Sequence, residues 1–347
     1  MFEKIVLRRS DKGPALSIGE LAEALLFYQN VHLVLDHASL NNLISKIGMP
    51  TLLSLLSRPS VSAVYCEEML ATRTESRGSV LSHSFVAFTY MGDKDVGPLH
   101  GRKKRLEHLL SRHGYGKRQT RLLVERFRKH VPIKKLTDDS YVEGGVVRAA
   151  WSDLYEPSFI QESMRRVLLS MLGSELLPSE FTFKVRLQFP SFYINTNINL
   201  EKLNAERKRH NSTLEDITEA LLINNILIAR GDTILAAHYG GEFYTSDLTS
   251  EIIRLKYADL LKRIGIERHE LKEFSEIVIQ DGPTIREALN SGERTFDEFL
   301  LLLDKSQRFR EWAQKVNPDE KLVKAYFQEV TSEGWMNKLP SKVLSSP

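Results

Sequence analysis

A single cysteine, Cys66, in 347 residues leaves no internal disulfide and no zinc site made of several thiolates. No apolar run approaches the ~20 residues needed to cross a bilayer as a helix. Residues 1–9 are a short apolar stretch running into charge and do not read as a secretory leader, so the cytoplasm is the expected location. HExxH, HxxxH, GxSxG, a P-loop and GxGxxG are all missing, which removes the common signatures of zinc proteases, serine hydrolases and nucleotide-binding loops. There is no repeat and no low-complexity tract. The apolar content of 42% is ordinary for a globular chain and suffices for one large α/β unit or about two domains.

Charge is where the chain departs from the ordinary. Residues 102–135 hold thirteen Lys and Arg against Glu107 and Glu125, a local charge of +11 in a chain of only +3, so the remainder carries −8. At 100° per residue, Thr120, Leu123, Val124, Phe127 and Val131 share one arc of a helix over 117–131. Lys117, Arg118, Arg121, Arg126, Arg128 and Lys129 fill the other, with Leu122 among them. Gly114 and Gly116 divide this helix from an earlier one over 101–113 that carries Arg102, Lys103, Lys104 and Arg105, and Pro132 ends the second. Such a surface suits phosphate, either of nucleic acid or of anionic lipid head groups. It equally suits acids elsewhere in the chain, or an acidic protein partner.

The order of elements predicts an α/β fold, with α+β as the alternative: an amino-terminal lobe with a mixed sheet, then a largely helical carboxy-terminal half. The expected division is an α/β lobe over 1–98, a basic helical segment over 99–180, alternating strands over 181–200 and a helical region over 201–347. Strands are expected at 5–7, 31–35 and 61–74, with a hairpin turning at Arg77-Gly78 and returning over 80–91. Helices are expected at 16–27, with Ser17 and Glu20 as a capping box, and at 40–56, broken near Gly48 and Pro50. Phe181, Phe183, Val185, Leu187 and Phe189 alternate without a fault, and this strand and its successor are expected to join or cover the amino-terminal sheet. Further on, an apolar helix is expected over 213–229 and an amphipathic one over 250–264. Another should begin near Pro283 and end at Gly292, and Thr295 with Glu298 should open a helix over 296–316.

Among possible catalytic groups, Asp36 stands at the carboxyl end of a strand, where open α/β sheets gather ligands. With another carboxylate it could hold Mg²⁺ for phosphodiester cleavage, yet the same position suits the cap of the next helix. Glu67 and Glu68 are neighbours on an expected strand and should point to opposite faces. Cys66 beside them should have a raised pKa and lie buried. His37, His83 and His238 are scattered, and His100, His108 and His113 sit among cations, so no metal or other cofactor is expected. Phe296, Phe299, Phe309 and Trp312 fall at helical spacing and read as core, and Gly240-Gly241 as a turn or packing gap.

LAEALLFYQNVHLVLD (21–36), IREALNSGERTFDEFLLLL (285–303), FREW (309–312) and GWMNKLPSK (334–342) resemble an uncharacterised family of bacterial proteins. The resemblance spans the chain and implies a part in prokaryotic defence or stress response, with no assigned catalytic residue. In such relatives the LPSK ending leads into an apolar tail, absent where this sequence ends in Ser345-Ser346-Pro347. The expected function is therefore non-enzymatic recognition of an anionic surface, peripheral membrane or nucleic acid, by the basic helices. A metal-dependent nuclease using Asp36 and a subunit docking an acidic partner are the alternatives.

Overall fold

A computed structural model describes residues 2–9, 15–78, 80–90, 99–172, 177, 180–263 and 285–305. In chain order its strands are β1 (Phe2–Leu7), β2 (Tyr28–Leu35), β3 (Val61–Cys66), β4 (Glu68–Arg77), β5 (Val80–Thr89), β6 (Ile133–Lys134), β7 (Phe183–Gln188), β8 (Ser191–Thr196) and β9 (Glu242–Phe243). The helices of the first half are α1 (Ile18–Phe27), α2 (His37–Leu56), α3 (Arg102–Arg112), α4 (Lys117–His130), α5 (Gly145–Asp153) and α6 (Pro157–Leu172). Then follow α7 (Leu200–His210), α8 (Glu219–Tyr239), α9 (Asp247–Arg263), α10 (Ile285–Asn290) and α11 (Phe296–Lys305).

The α/β class holds, with its parallel and antiparallel strands sorted into two sheets. The parallel sheet has the order β6-β3-β2-β1-β9. Successive side chains on a strand point to opposite faces. Ile5, Leu7, Leu33, Leu35, Ala63 and Tyr65 accordingly join the core built with α1, α2, α3 and α4. Val6, Val34, Val64 and Cys66 meet Leu136, Tyr141 and Leu235 of α8 on the other side. Burial on both faces is why β2 reads as a nearly unbroken apolar run. Ser17 caps α1 by accepting from the Glu20 amide at 3.2 Å, as its position predicted. In α2, Gly48 takes φ +74°, a conformation that favours glycine and divides the helix ahead of Pro50.

The second sheet has the order β4-β5-β8-β7, and its three pairings are antiparallel. The strand expected over 61–74 is in fact two: the chain leaves the parallel sheet after Cys66 and starts β4 at Glu68. Both edges of β3 are already taken by β2 and β6, so β4 does not fold back on β3, and the hairpin pairs with β8 in a sheet of its own. The alternating strand β7 and its partner β8 extend that hairpin, through His83 opposite Phe192, and do not pair with the parallel strands. Phe85, Phe183 and Phe192 turn their rings into a second core formed with α6, α8 and α9.

Helix α8 packs against both sheets. By length and composition it could cross a membrane, contrary to the expectation that no segment approached that requirement, but 56% of its most apolar window is buried. It also carries Asp232, bonded to Arg8 at 2.9 Å, and Arg230, paired with Asp153 at 2.6 Å. These contacts make it the shared core helix of the fold. Gly240 ends it in the left-handed conformation, and Gly241 passes so close to Lys4 that a Cβ would lie 3.1 Å from its carbonyl oxygen. At the far end of the chain, Thr295 and Glu298 form the expected reciprocal cap of α11, with bonds of 2.9 and 3.2 Å. Phe296 and Phe299 are core, whereas Pro283, Phe309, Trp312 and the part of the 296–316 helix expected beyond residue 305 lie outside the described residues.

Candidate functional site

The basic stretch folds as two helices, α3 and α4, with Gly114 at φ +81° between them. Thr120, Leu123, Val124 and Phe127 are the buried line of α4, and Phe127 meets Tyr65 edge-on at 5.9 Å. Tyr115 fixes the start of α4: its hydroxyl accepts from the Met49 amide at 2.8 Å and its carbonyl accepts from Thr120 Oγ1 at 3.1 Å. The opposite face of the helix is thereby held toward solvent.

The ten cations expected to bind anions divide into two groups. Arg105 grips the buried carboxylate of Glu67 with both ends of its fork, Nε to Oε1 at 3.0 Å and Nη2 to Oε2 at 2.6 Å, and also donates to the Leu99 carbonyl. Arg102 stands 3.3 Å from the same carboxylate. Lys103 reaches across to Glu125 of α4 at 2.9 Å, and Arg128 approaches that glutamate at 3.9 Å. These four act within the protein: Arg102 and Arg105 tie α3 to the end of β3, Lys103 ties it to α4, and Arg128 stays within α4. Lys104, Lys117, Arg118, Arg121, Arg126 and Lys129 are exposed and make no ion pair among the described residues. All but Lys104 are on α4. Lys117, Arg118 and Arg121 surround a shallow depression of about 440 Å³ whose fourth member is Leu122, 60% exposed. Sequence alone placed the α4 cations on one arc; it could not tell that Arg102 and Arg105 are engaged, because their acid, Glu67, lies far from them in the chain.

The acids are otherwise engaged. Asp36 caps α2, accepting from the Ser39 amide at 2.7 Å. Glu67 and Glu68 do not face apart as one continuous strand would require. The chain changes sheets between them, and both border a cleft of about 390 Å³ with Thr89, Gly101, Arg102, Arg105 and Lys135. Glu68 there accepts from the amide and hydroxyl of Thr137 at 2.9 and 3.0 Å. Among the described residues, no three His, Cys, Asp or Glu side chains converge as a metal set.

His37, His83, His238 and Cys66 are packed or bonded locally. His83, buried, lies 3.1 Å from Glu219 and 3.0 Å from the Thr74 hydroxyl. His37 stacks on Tyr90 at 4.2 Å, and His238 meets Tyr141 and Tyr239 edge-on. Sequence inspection passed over His32, which lies buried inside β2, stacked on Tyr239 at 3.8 Å and 2.8 Å from the Ser62 hydroxyl. Burial, seconded by Lys4, pushes its pKa down to about 4. Burial likewise pushes the Cys66 thiol up to about 11, outweighing its contact with the Tyr141 hydroxyl at 3.4 Å. That direction was expected, although the acids next to Cys66 are a lesser cause than burial.

At the point where the parallel sheet reverses its strand order, between β1 and β9, Arg8 and Thr245 both bond Asp232. Burial raises the carboxyl pKa of Asp232 and the two neighbouring arginines, Arg8 and Arg9, oppose that rise.

No protein-family profile, curated protein or solved structure matches this chain. The resemblance of its terminal stretches to bacterial proteins therefore adds nothing to the reading of the site, which rests on residues and geometry.

Proposed function

We propose that this protein recognises a phosphate-bearing anionic surface through the outer face of α4. The observation that carries the reading is the set Lys117, Arg118, Arg121, Arg126 and Lys129: five exposed cations on one rigid helix, with no acidic partner among the described residues. A solvated face usually interleaves charges of both signs. Here the one acid, Glu125, is already neutralised by Lys103 and Arg128. Near an anionic surface each such cation contributes about 1 kcal/mol, so five supply roughly 5 kcal/mol before the cost of association. On a duplex the same five would give a logarithmic salt slope of about −4 to −5. The engagement of Asp36 as a helix cap and of Glu67 by two arginines lends no support to a nuclease reading.

The test is binding of the whole chain to anionic vesicles, duplex DNA and single-stranded RNA over a salt series, for the natural protein and for Arg118→Glu/Arg121→Glu/Lys129→Glu. The triple variant replaces attraction with repulsion at three sites, and the lost attraction alone, about 3 kcal/mol, is expected to lower affinity for the preferred surface at least about a hundredfold. Its thermal midpoint is expected to hold, because all three side chains are exposed. Binding that survives the triple reversal, or no binding to any of the three surfaces at low salt, overturns the proposal.

A further inference from the structure

The crest of α4 carries a residue that phosphate recognition does not call for. At 100° per residue, Arg118, Leu122, Glu125 and Lys129 run along the outermost line of the helix, opposite the buried Thr120, Leu123, Val124 and Phe127. Leu122 is thus held out among cations, 60% exposed, in the depression formed with Lys117, Arg118 and Arg121. A phosphate backbone offers a leucine side chain no apolar partner. The boundary layer of a bilayer does: an amphipathic helix lying on it sinks its apolar side chains just below the head groups. Lysine and arginine, longer than leucine, extend from the same surface back to the phosphates. Glu125 on the crest would oppose an anionic membrane if its charge were free, but Lys103 at 2.9 Å and Arg128 at 3.9 Å neutralise it.

We infer that the occupant of this face is an anionic phospholipid bilayer, with Leu122 as the single apolar contact and Lys117, Arg118, Arg121, Arg126 and Lys129 around it on the head groups. This rests on the reading of α4 as an anion-binding face and narrows it to one surface. A lone leucine makes the attachment shallow and reversible, dependent on anionic lipid and weakened by salt.

Leu122→Gln separates the two readings, since it removes the apolar contact and leaves every charge in place. Sedimentation of the full chain with vesicles of phosphatidylcholine plus phosphatidylserine is compared with its binding to duplex DNA and RNA. The variant is expected to bind vesicles about tenfold more weakly. Any residual nucleic-acid binding is expected to be unchanged. Leu122→Trp is expected to bind vesicles at least as well and to shift its added fluorescence to the blue on vesicles alone. Leu122 touches no core, so circular dichroism spectra of both variants are expected to match the natural protein. Vesicle binding that is indifferent to Leu122→Gln overturns the bilayer assignment. So does binding to nucleic acid, but not vesicles, that depends on Arg118 and Arg121, and this result leaves the anion-binding reading standing. Binding to none of these surfaces removes both.

Discussion

Glu67 anchors the basic helices to the sheet, and its removal has a calculable cost. Its side chain is 6% exposed and its main partner Arg105 is 11% exposed, so Glu67→Gln leaves a guanidinium charge in a nearly dry site. Breaking one side of a buried pair of this kind costs about 3–5 kcal/mol. Arg105 keeps its bond to the Leu99 carbonyl at 3.1 Å, and Arg102 is already 37% exposed, which points to the lower end, about 3 kcal/mol. At about 2.1 cal/mol/K of unfolding entropy per residue, that corresponds in a chain of 347 residues to a melting temperature lower by roughly 4 °C. Urea titration and thermal denaturation followed by circular dichroism would measure it. Arg105→Met added to Glu67→Gln removes the stranded charge and is expected to restore at least about 1.5 kcal/mol of the loss. Glu67→Gln also takes a negative charge from beneath the basic helices, so affinity for anionic surfaces is expected to hold or to rise. A Glu67→Gln protein within about 0.5 kcal/mol of the natural one would refute the reasoning, because that is the range of an inconsequential surface change.

Two further tests concern buried groups. His32 has a folded pKa of about 4 against an unfolded value of 6.5, so between them the unfolded chain holds more protons than the folded one. Its contribution to stability is complete above pH 6.5 and is lost as pH falls toward 4, about 3 kcal/mol in all. His32→Phe, which can still stack on Tyr239, is expected to flatten the stability curve across that window; a curve unchanged in slope would exclude His32 as its source. Cys66, 1% exposed and with its thiol pushed up to about 11, carries about one thiolate in a thousand at pH 8. Its reaction with an aromatic disulfide reagent is expected to be slow in the native protein and to become rapid in denaturant, and fast native labelling would show the site to be open.

Much of the architecture was legible because it rests on local periodicity and local caps. The alternation of Phe183, Val185 and Leu187, the buried arc of Thr120, Leu123, Val124 and Phe127, the Ser17 and Thr295 caps and the break at Gly48 each depend on residues within a few positions of one another. The hairpin of β4 and β5, turning at Arg77-Gly78, was legible for the same reason; what failed were the continuity of the strand through Cys66 and Glu68 and the sheet that β7 and β8 join. Nothing near Glu67 in the chain reveals that both edges of β3 are occupied, and so nothing there announces that Glu68 begins a different sheet. Nor does the apolar composition of α8 distinguish a helix shared by two sheets from one bound for a membrane; its packing and its ion pairs through Arg230 and Asp232 do.

The same division runs through the basic surface. The amino-acid order alone determined that a strongly cationic amphipathic helix exists at residues 117–131 and which side chains point away from its core, since a helix of 3.6 residues per turn leaves no freedom in that choice. Only the tertiary structure decided which of those charges are available. A charge is free or spent according to what lies within a few ångströms: Glu67, distant in the chain, occupies Arg102 and Arg105, and Glu125 on the crest of α4 occupies Lys103 of the neighbouring helix and Arg128 one turn on.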